Sequence, residues 1–330
     1  MKNFFPMKKW SSALLIFAAA LASCDKDDDN SSSGGNATPD PIAGLVVKNQ
    51  SNVLLVENTG AWCQYCPNGA EIMLNLAANY DFIVPVALHN NDGLMNPSSV
   101  IWDSIFVQDG FPTIHVNGEA LANYNDAEAT ALLASTDPAV LGVAHNVEDA
   151  DTSWLVHIKA EFFQDAIQKN YFLQSFLILE NVLAKDNSAV GGSDLRQVSS
   201  VQWVDKGPTG GASIWNVDAG FVDTTPTVRA GDDFYHKDNL WAFAEGDSNM
   251  TQWGLPLAAV NPFGSDYAAG DVIGSKYTPI RFHIDKPTSS SLGVLNVVGY
   301  KVLTVVWELV LDGGNYVYRY TNAYESSIPE

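Results

Sequence analysis

The apolar positions of the chain change their period near residue 137. Between Gly44 and Ser135, short apolar runs alternate with longer segments that have helical spacing. This alternation is typical of an α/β fold. It predicts strands at 53–57 and 82–88, helices at 66–80, around 98–107 and at 125–135, and a strand at 111–119 that enters a hairpin with Asn117-Gly118 as the turn.

After residue 137 the apolar positions follow the two-residue period of strands. Trp154, Val156 and Ile158, for example, alternate with Leu155 and His157. Because no strong helical pattern interrupts these runs, we predict an all-β antiparallel sandwich over 137–330. Its seven predicted strands are 140–147, 154–163, 171–182, 234–244, 277–284, 297–311 and 316–320.

The first 23 residues have the pattern of a lipoprotein signal peptide. Three lysines precede a short apolar core at 13–20, which cannot span a bilayer as an ordinary helix because that needs about 20 residues. The segment ends at Leu21-Ala22-Ser23-Cys24, which resembles a bacterial lipobox. The resemblance implies that Cys24 is lipidated and begins the mature chain. A plain secretory signal with an unmodified Cys24 is the alternative.

Residues 24–43 are polar and rich in Ser, Gly and Asp, which predicts a flexible acidic tether. The acidic cluster after Cys24 also resembles a signal for export to the outer face of the outer membrane, although solvated tether charge explains it equally well. Two folded domains are then predicted, 44–136 and 137–330. The expected location is the outer membrane, facing the periplasm or the cell surface.

The net charge of the chain argues against polyanionic ligands. The chain has 17 Lys+Arg and 38 Asp+Glu, a net charge of −21, and removal of 1–23 would take away three lysines and no acid. A chain this acidic disfavours nucleic acid and anionic lipid headgroups as ligands. We therefore expect the protein to contact the membrane through an N-terminal lipid.

Cys63 and Cys66 form a Cys-x-x-Cys pair where the first strand meets the first helix. A helix N-terminus lowers the pKa of a thiol, and the thiolate is the attacking species. We predict Cys63 as the attacking and Cys66 as the resolving thiol of a redox disulfide. A zinc half-site would need two further ligands, and the histidines show no paired metal spacing, so we predict no metal and no cofactor. A structural disulfide stays open as an alternative, although so short a loop gives little stabilisation.

The motif Trp62-Cys63-Gln64-Tyr65-Cys66-Pro67, with Phe111-Pro112-Thr113 about 46 residues further on, resembles a thioredoxin-fold active site. The resemblance implies a cis bond before Pro112, and substrate contacts at Trp62, Phe111 and Thr113. It also implies a buried acid that exchanges a proton with Cys66. Glu57 matches that position, and burial would raise its pKa. A strand-end glutamate that reaches solvent is the alternative.

The wider pattern of lipobox, Cys-x-x-Cys motif and β-rich second half resembles the outer-membrane-protein-28-like lipoproteins, with looser matches at 234–240 and 303–307. This resemblance implies architecture and location more firmly than a reaction. The predicted function is a lipid-anchored, cell-envelope thiol–disulfide oxidoreductase acting on protein thiols and disulfides. The alternative is a surface-exposed binding or adhesion lipoprotein whose thioredoxin-like scaffold stays oxidised. His236, beside Asp232 and Asp233, is interpreted as part of a polar cluster at a strand end.

Overall fold

A computed structural model of the chain describes residues 40–184, 189–190, 193–195, 197–199, 228–229, 234–246, 250–293 and 295–329. The predicted signal peptide, Cys24 and most of the predicted tether lie outside these residues. None of the helices in this part of the chain is long and apolar enough to cross a membrane.

The first part of the described chain alternates strands and helices. Its elements are β1 (Val53–Thr59), α1 (Cys66–Asn79), β2 (Ile83–His89), α2 (Pro97–Trp102), β3 (Thr113–Val116), β4 (Glu119–Ala120), a 3-10 helix (Tyr124–Asp126) and α3 (Ala127–Ala134). The predicted helix around 98–107 is shorter than expected, because the chain turns after Trp102. The predicted turn is confirmed: Asn117 and Gly118 have φ of 52° and 96°, positive values that these residue types tolerate.

Strands dominate the remaining chain, and all seven predicted strands are found with boundaries shifted by a few residues. The elements are β5 (Leu141–Asp149), β6 (Ser153–Phe162), β7 (Tyr171–Ala184), β8 (Ala189–Val190), β9 (Ser193–Asp194), β10 (Val198–Ser199), β11 (Val228–Arg229), β12 (Phe234–Phe243), β13 (Glu245–Gly246), β14 (Leu255–Pro256), a 3-10 helix (Leu257–Ala259), β15 (Val272–Ile273), β16 (Ile280–Asp285), α4 (Ser289–Leu292), β17 (Asn296–Asp312) and β18 (Asn315–Ser327).

The long strands form two sheets. The larger is a mixed, nine-stranded sheet in the order β18-β17-β7-β12-β2-β1-β3-β4, with β14 beside β7. The smaller has five strands, in the order β13-β16-β6-β15 with β5 beside β6, and all its pairs are antiparallel. The expectation of purely antiparallel strands after residue 137 is wrong for β12, which runs parallel to β2 with Asn239 opposite Ala87. The larger sheet therefore continues across residue 137.

Alternate residues of β1 enter two different cores, because successive side chains of a strand point to opposite faces. Leu54 and Val56 belong to an aromatic-rich core that includes Trp102 and Phe106. Val53 and Leu55 pack with α1 and α3 in a separate core. A third core is made of residues from both sheets, such as those of β6 and β7. Glu57 follows Val53 and Leu55 in the alternation and therefore faces α1.

Candidate disulfide site at the start of α1

Cys63 and Cys66 form a disulfide with a Cα–Cα distance of 5.5 Å. The predicted disulfide is thus present, and α1 begins at Cys66 with Pro67 in its first turn, where proline suits the helical backbone. The Cys66 N–H donates to Cys63 Sγ at 3.1 Å. Cys63 is 4% and Cys66 1% exposed, whereas Trp62 and Tyr65 are 43% and 51% exposed. Aromatic side chains thus form the outer surface of the motif, and the two cysteines lie beneath it.

The loop after β2 supports the motif from one side. Asp92 Oδ2 accepts a hydrogen bond from the Ala61 N–H at 2.7 Å, and the Asn90 carbonyl accepts one from Trp62 Nε1 at 2.7 Å. Gly60 allows this close approach, because a Cβ at that position would lie 2.6 Å from Trp62 Nε1. These contacts hold the chain that leads into Cys63.

The chain segment that leads into β3 lies beside the motif. The Phe111–Pro112 peptide bond is cis, as predicted. The Phe111 ring meets the Trp62 ring edge-to-face, with centroids 4.9 Å apart. Thr113 begins β3, and its Oγ1 donates to the Gly110 carbonyl at 2.9 Å. The structure therefore brings Trp62 and Phe111 together, while their role as substrate contacts, and that of Thr113, stays a prediction.

Glu57 is buried, so the solvent-exposed alternative is wrong. It is 1% exposed, and burial raises its pKa well above the usual range, although hydrogen bonds to the Thr59 side chain and the Ala70 backbone partly oppose this. Its Oε1 has no hydrogen-bond partner within the described residues. A Cβ on Gly69 of α1 would lie 2.6 Å from that oxygen and 2.9 Å from Pro112 Cβ. The glycine thus lets α1 pack directly over Glu57 and Pro112.

A small cavity joins Glu57 to the disulfide. Its volume is about 20 Å³, and its walls include Glu57, Cys66, His89, Gln197 and His236. A space of this size holds about one water molecule. A buried carboxyl group with a raised pKa thus lines the same small cavity as the second cysteine.

Gln197, from the long connection between β7 and β12, was not predicted to reach the site. Its Nε2 donates to the Cys63 carbonyl at 2.8 Å and to the Gly60 carbonyl at 3.3 Å. No local sequence pattern predicts this contact, because Gln197 and Cys63 are more than 130 residues apart in the chain.

His89, Asp92 and His236 form a second unpredicted group. His236 Nε2 bonds the Leu195 carbonyl at 2.7 Å, and its ring meets that of His89 edge-to-face at 4.9 Å. The interpretation of His236 as part of a strand-end polar cluster with Asp232 and Asp233 stays a prediction. Asp232 and Asp233 lie outside the described residues. One signal could have identified His89. β1 and β2 are parallel, and Thr59 pairs with His89 where both strands end, at the edge where such sheets place their sites.

Within the described residues, no group of three or more His, Cys, Asp and Glu side chains is arranged to hold a metal ion. No protein-family model matches the chain, and no curated protein is significantly similar to it. One similar solved structure is HBP35 of Porphyromonas gingivalis, with a TM-score of 0.49, 15% identity, and 85% of this chain and 76% of that chain covered. The resemblance to outer-membrane-protein-28-like lipoproteins therefore stays a prediction, and the site is interpreted from its own geometry.

Proposed function

We propose that the protein exchanges disulfides with protein thiols through Cys63 and Cys66, in a thioredoxin-like site. The observation that carries this proposal is the buried Glu57, which lines the same small cavity as Cys66. A buried acid with a raised pKa is suited to exchange protons near neutral pH. A disulfide that only stabilised the loop would need no such acid beneath it.

The chemistry balances without a cofactor. A substrate thiolate attacks Cys63 Sγ, the Cys63–Cys66 bond breaks, and Cys66 leaves as a thiolate that takes a proton from Glu57. A second substrate thiolate then attacks the substrate sulfur of the mixed disulfide, the bond from that sulfur to Cys63 breaks, and Cys63 leaves as a thiolate. The substrate is thereby oxidised to a disulfide and the protein is reduced. In the reverse direction Glu57 accepts the Cys66 proton, and the Cys66 thiolate displaces the substrate from Cys63.

A binding or adhesion protein with a permanent disulfide is the second candidate, and specific contacts favour it. Both cysteines are buried, and Gln197 ties the motif by its Gly60 and Cys63 carbonyls. Trp62 and Tyr65 are large, exposed aromatics of the kind that anchor protein interfaces. In this case the disulfide would fix the loop that presents them.

Lipid anchoring at Cys24, with a location at the outer membrane, completes the proposal and rests on the sequence at 21–24. Mass spectrometry of the mature protein should find an acylated N-terminus at Cys24. Cys24→Ala should release the protein from membranes, and a soluble mature form with an unmodified Cys24 would refute anchoring.

A trapping experiment separates the two candidate functions. Cys66→Ser removes the resolving thiol, so substrates should accumulate as mixed disulfides on Cys63 in cells. The purified protein should also reduce or oxidise a model peptide disulfide, and Cys63→Ser/Cys66→Ser should do neither. If the trap captures no protein and the wild type is inert in both directions, the exchange proposal fails and the binding protein takes its place.

A further inference from the structure

Resting on the proposed exchange, we propose that Gln197 is a positioning residue that keeps Cys63 beside Cys66 while their disulfide is open. It thereby speeds resolution of the mixed disulfide and shifts the equilibrium of the site toward the closed disulfide. Three observations carry this inference: the two hydrogen bonds of the Gln197 amide, the support of its chain segment on both sides, and the part of the motif that it holds.

The Gln197 amide bridges the two ends of the turn that leads to the first cysteine. The Cys63 N–H donates to the Gly60 carbonyl at 2.9 Å, which makes residues 60–63 a four-residue turn. Gln197 Nε2 donates to the carbonyl of Cys63 at 2.8 Å and to that of Gly60 at 3.3 Å. Since backbone carbonyl oxygens only accept, the amide presents its nitrogen here, and its two N–H groups match the two acceptors.

The segment that carries Gln197 is fixed on both sides of it. Leu195 is fully buried in the core made of both sheets, and its carbonyl accepts a hydrogen bond from His236 Nε2 at 2.7 Å. Val198 pairs with Arg229 in the short ladder of β10 and β11. Gln197 itself is 3% exposed. A buried donor that is supported in this way holds its acceptors in one geometry.

Gln197 and the loop after β2 hold different parts of the motif. That loop accepts hydrogen bonds from the Ala61 N–H and the Trp62 ring, whereas Gln197 holds the carbonyl of the reacting residue, Cys63. Gln197 also lines the small cavity to which Cys66 contributes, so it reaches the motif from its buried side. Among these side-chain contacts, that of Gln197 is the one that fixes the Cys63 backbone directly.

This constraint has its effect when the disulfide is open. In the closed form the covalent bond already holds the two Cα atoms 5.5 Å apart. Once that bond is broken, the hydrogen bonds of residues 60–63 keep Cys63 within reach of Cys66. A reacting group held in place behaves as if it were present at a very high local concentration, which speeds the intramolecular step. Gln197 therefore acts on closure of the disulfide and leaves the attack of Cys63 on an outside disulfide unchanged.

The step that Gln197 affects is resolution of the mixed disulfide. Cys66 gives its proton to Glu57, and the Cys66 thiolate attacks Cys63 Sγ. The Cys63–Cys66 bond forms, the bond from Cys63 to the substrate sulfur breaks, and the substrate leaves as a thiolate. Gln197 exchanges no proton or electron in this step, because its part is to fix the backbone that carries the attacked sulfur.

The test follows that step in the full chain carrying Cys24→Ser, so that Cys63 and Cys66 are the only cysteines. Reduced protein is mixed with an equimolar amount of Ellman's reagent. The first thionitrobenzoate released reports attack by Cys63, and the second reports resolution by Cys66. The equilibrium between dithiol and disulfide is measured separately in glutathione buffers.

Two variants are compared with this protein. Gln197→Leu removes both N–H donors at nearly constant side-chain size. Gln174→Leu is the matched control, because Gln174 in β7 is also a buried glutamine, 2% exposed, and its Nε2 donates to the Ala244 carbonyl at 3.0 Å. The control thus loses a comparable buried hydrogen bond in a different part of the larger sheet.

We expect Gln197→Leu to slow the second release about tenfold and to shift the glutathione equilibrium about tenfold toward the dithiol. A tenfold change equals about 1.4 kcal/mol, which is within the range for one hydrogen bond. The first release should match that of the wild type, and Gln174→Leu should match the wild type in all three measurements. A merely structural glutamine would lower stability in urea without changing the second release or the equilibrium.

A measurement on the wild type tests the inference even if Gln197→Leu does not fold. The side-chain amide protons of Gln197 should exchange slowly with solvent in NMR spectra of both oxidised and reduced protein, because their hydrogen bonds must persist in the open form. Fast exchange in the reduced protein, an unchanged second release in Gln197→Leu, or an equal change in Gln174→Leu would overturn the inference. If Cys63 of the wild type does not react with the reagent, the proposed function itself fails, whereas a reactive wild type with an unaffected variant removes only the role of Gln197.

Discussion

Two carboxyl groups on the nine-stranded sheet, that of the buried Glu57 in β1 and that of the partly buried Glu325 in β18, differ in the charge that faces them. Burial raises the pKa of Glu57 well above its usual range, and no cation among the described residues opposes this rise. Burial also raises the pKa of Glu325, to about 7, but Lys301 opposes that rise. A buried acid without a nearby cation is available to exchange protons, whereas an acid beside a cation belongs to the framework of the sheet.

Lys301 links three strands of that framework. Its Nζ lies 2.7 Å from Asp238 Oδ1 in β12 and 3.6 Å from Glu325 Oε1 in β18, while Lys301 itself is in β17. The ammonium group of Lys301 thus forms ion pairs with two carboxyl groups. The more distant of them, Glu325, also has an Oε2 with no hydrogen-bond partner in the described chain.

Removal of the shared cation should have the largest effect. Lys301→Met leaves Asp238 and Glu325 facing each other in a buried site, and breaking a buried pair in this way is destabilising by about 3–5 kcal/mol. Urea unfolding at pH 7 measures the change. Lys169→Met is the control, because its pair with Glu308 is partly exposed and should contribute only about 0–1 kcal/mol. Equal losses in the two variants would mean that Lys301 is not a framework residue.

Glu325→Gln should change how stability depends on pH. The folded pKa of Glu325 is about 7, above its ordinary value of 4.5. Between these values the unfolded chain releases the proton and the folded chain keeps it, so rising pH destabilises the wild type. At about 1.36 kcal/mol per pKa unit, the loss between pH 4.5 and 7 is roughly 3 kcal/mol. Relative to wild type, the variant should gain stability between pH 5 and pH 8, and an unchanged difference at the two values would contradict the shift.

Glu57→Gln should affect the reaction and not the fold, in contrast to Lys301→Met. Because Glu57 forms no ion pair within the described part of the chain, the amide should be tolerated, and the variant should gain stability relative to wild type as pH rises above 4.5, the ordinary value. Resolution of the Cys63 mixed disulfide should slow by about 10²-fold, the lower range for a general acid–base group. An unfolded variant would make Glu57 structural, and an unchanged rate would exclude it from the proton transfer.

The sequence predicted the strands more completely than it predicted the side chains that surround the disulfide. Local periodicity predicted every long strand, and the resemblance of the Cys-x-x-Cys motif to a thioredoxin-fold active site implied that Glu57 lies beneath the disulfide. The pairing of Asn239 with Ala87 was not predictable, because it joins strands about 150 residues apart and depends on the order of strands in the sheet. His89, Gln197 and His236 were missed for the same reason. Local patterns predict elements, but long-range pairing determines which side chains share a cavity.

The smallest expected effect tests how closely α1 must pack over Glu57. Alanine has the higher helix propensity, by about 0.8–1.0 kcal/mol over glycine, so Gly69→Ala would ordinarily stabilise α1. Here the new Cβ would lie 2.6 Å from Glu57 Oε1 and 2.9 Å from Pro112 Cβ, and such overpacking is destabilising by roughly 1–3 kcal/mol. We therefore expect a net loss of stability in urea unfolding, while Asn75→Ala on the same helix should be neutral or stabilising. Because the displaced atoms belong to Glu57 and Pro112, the loss should diminish in a Glu57→Ala background, where the carboxyl group no longer meets the Cβ. If Gly69→Ala is stabilising in both backgrounds, the helix is free to move away, and the close packing of α1 over Glu57 is not maintained in solution.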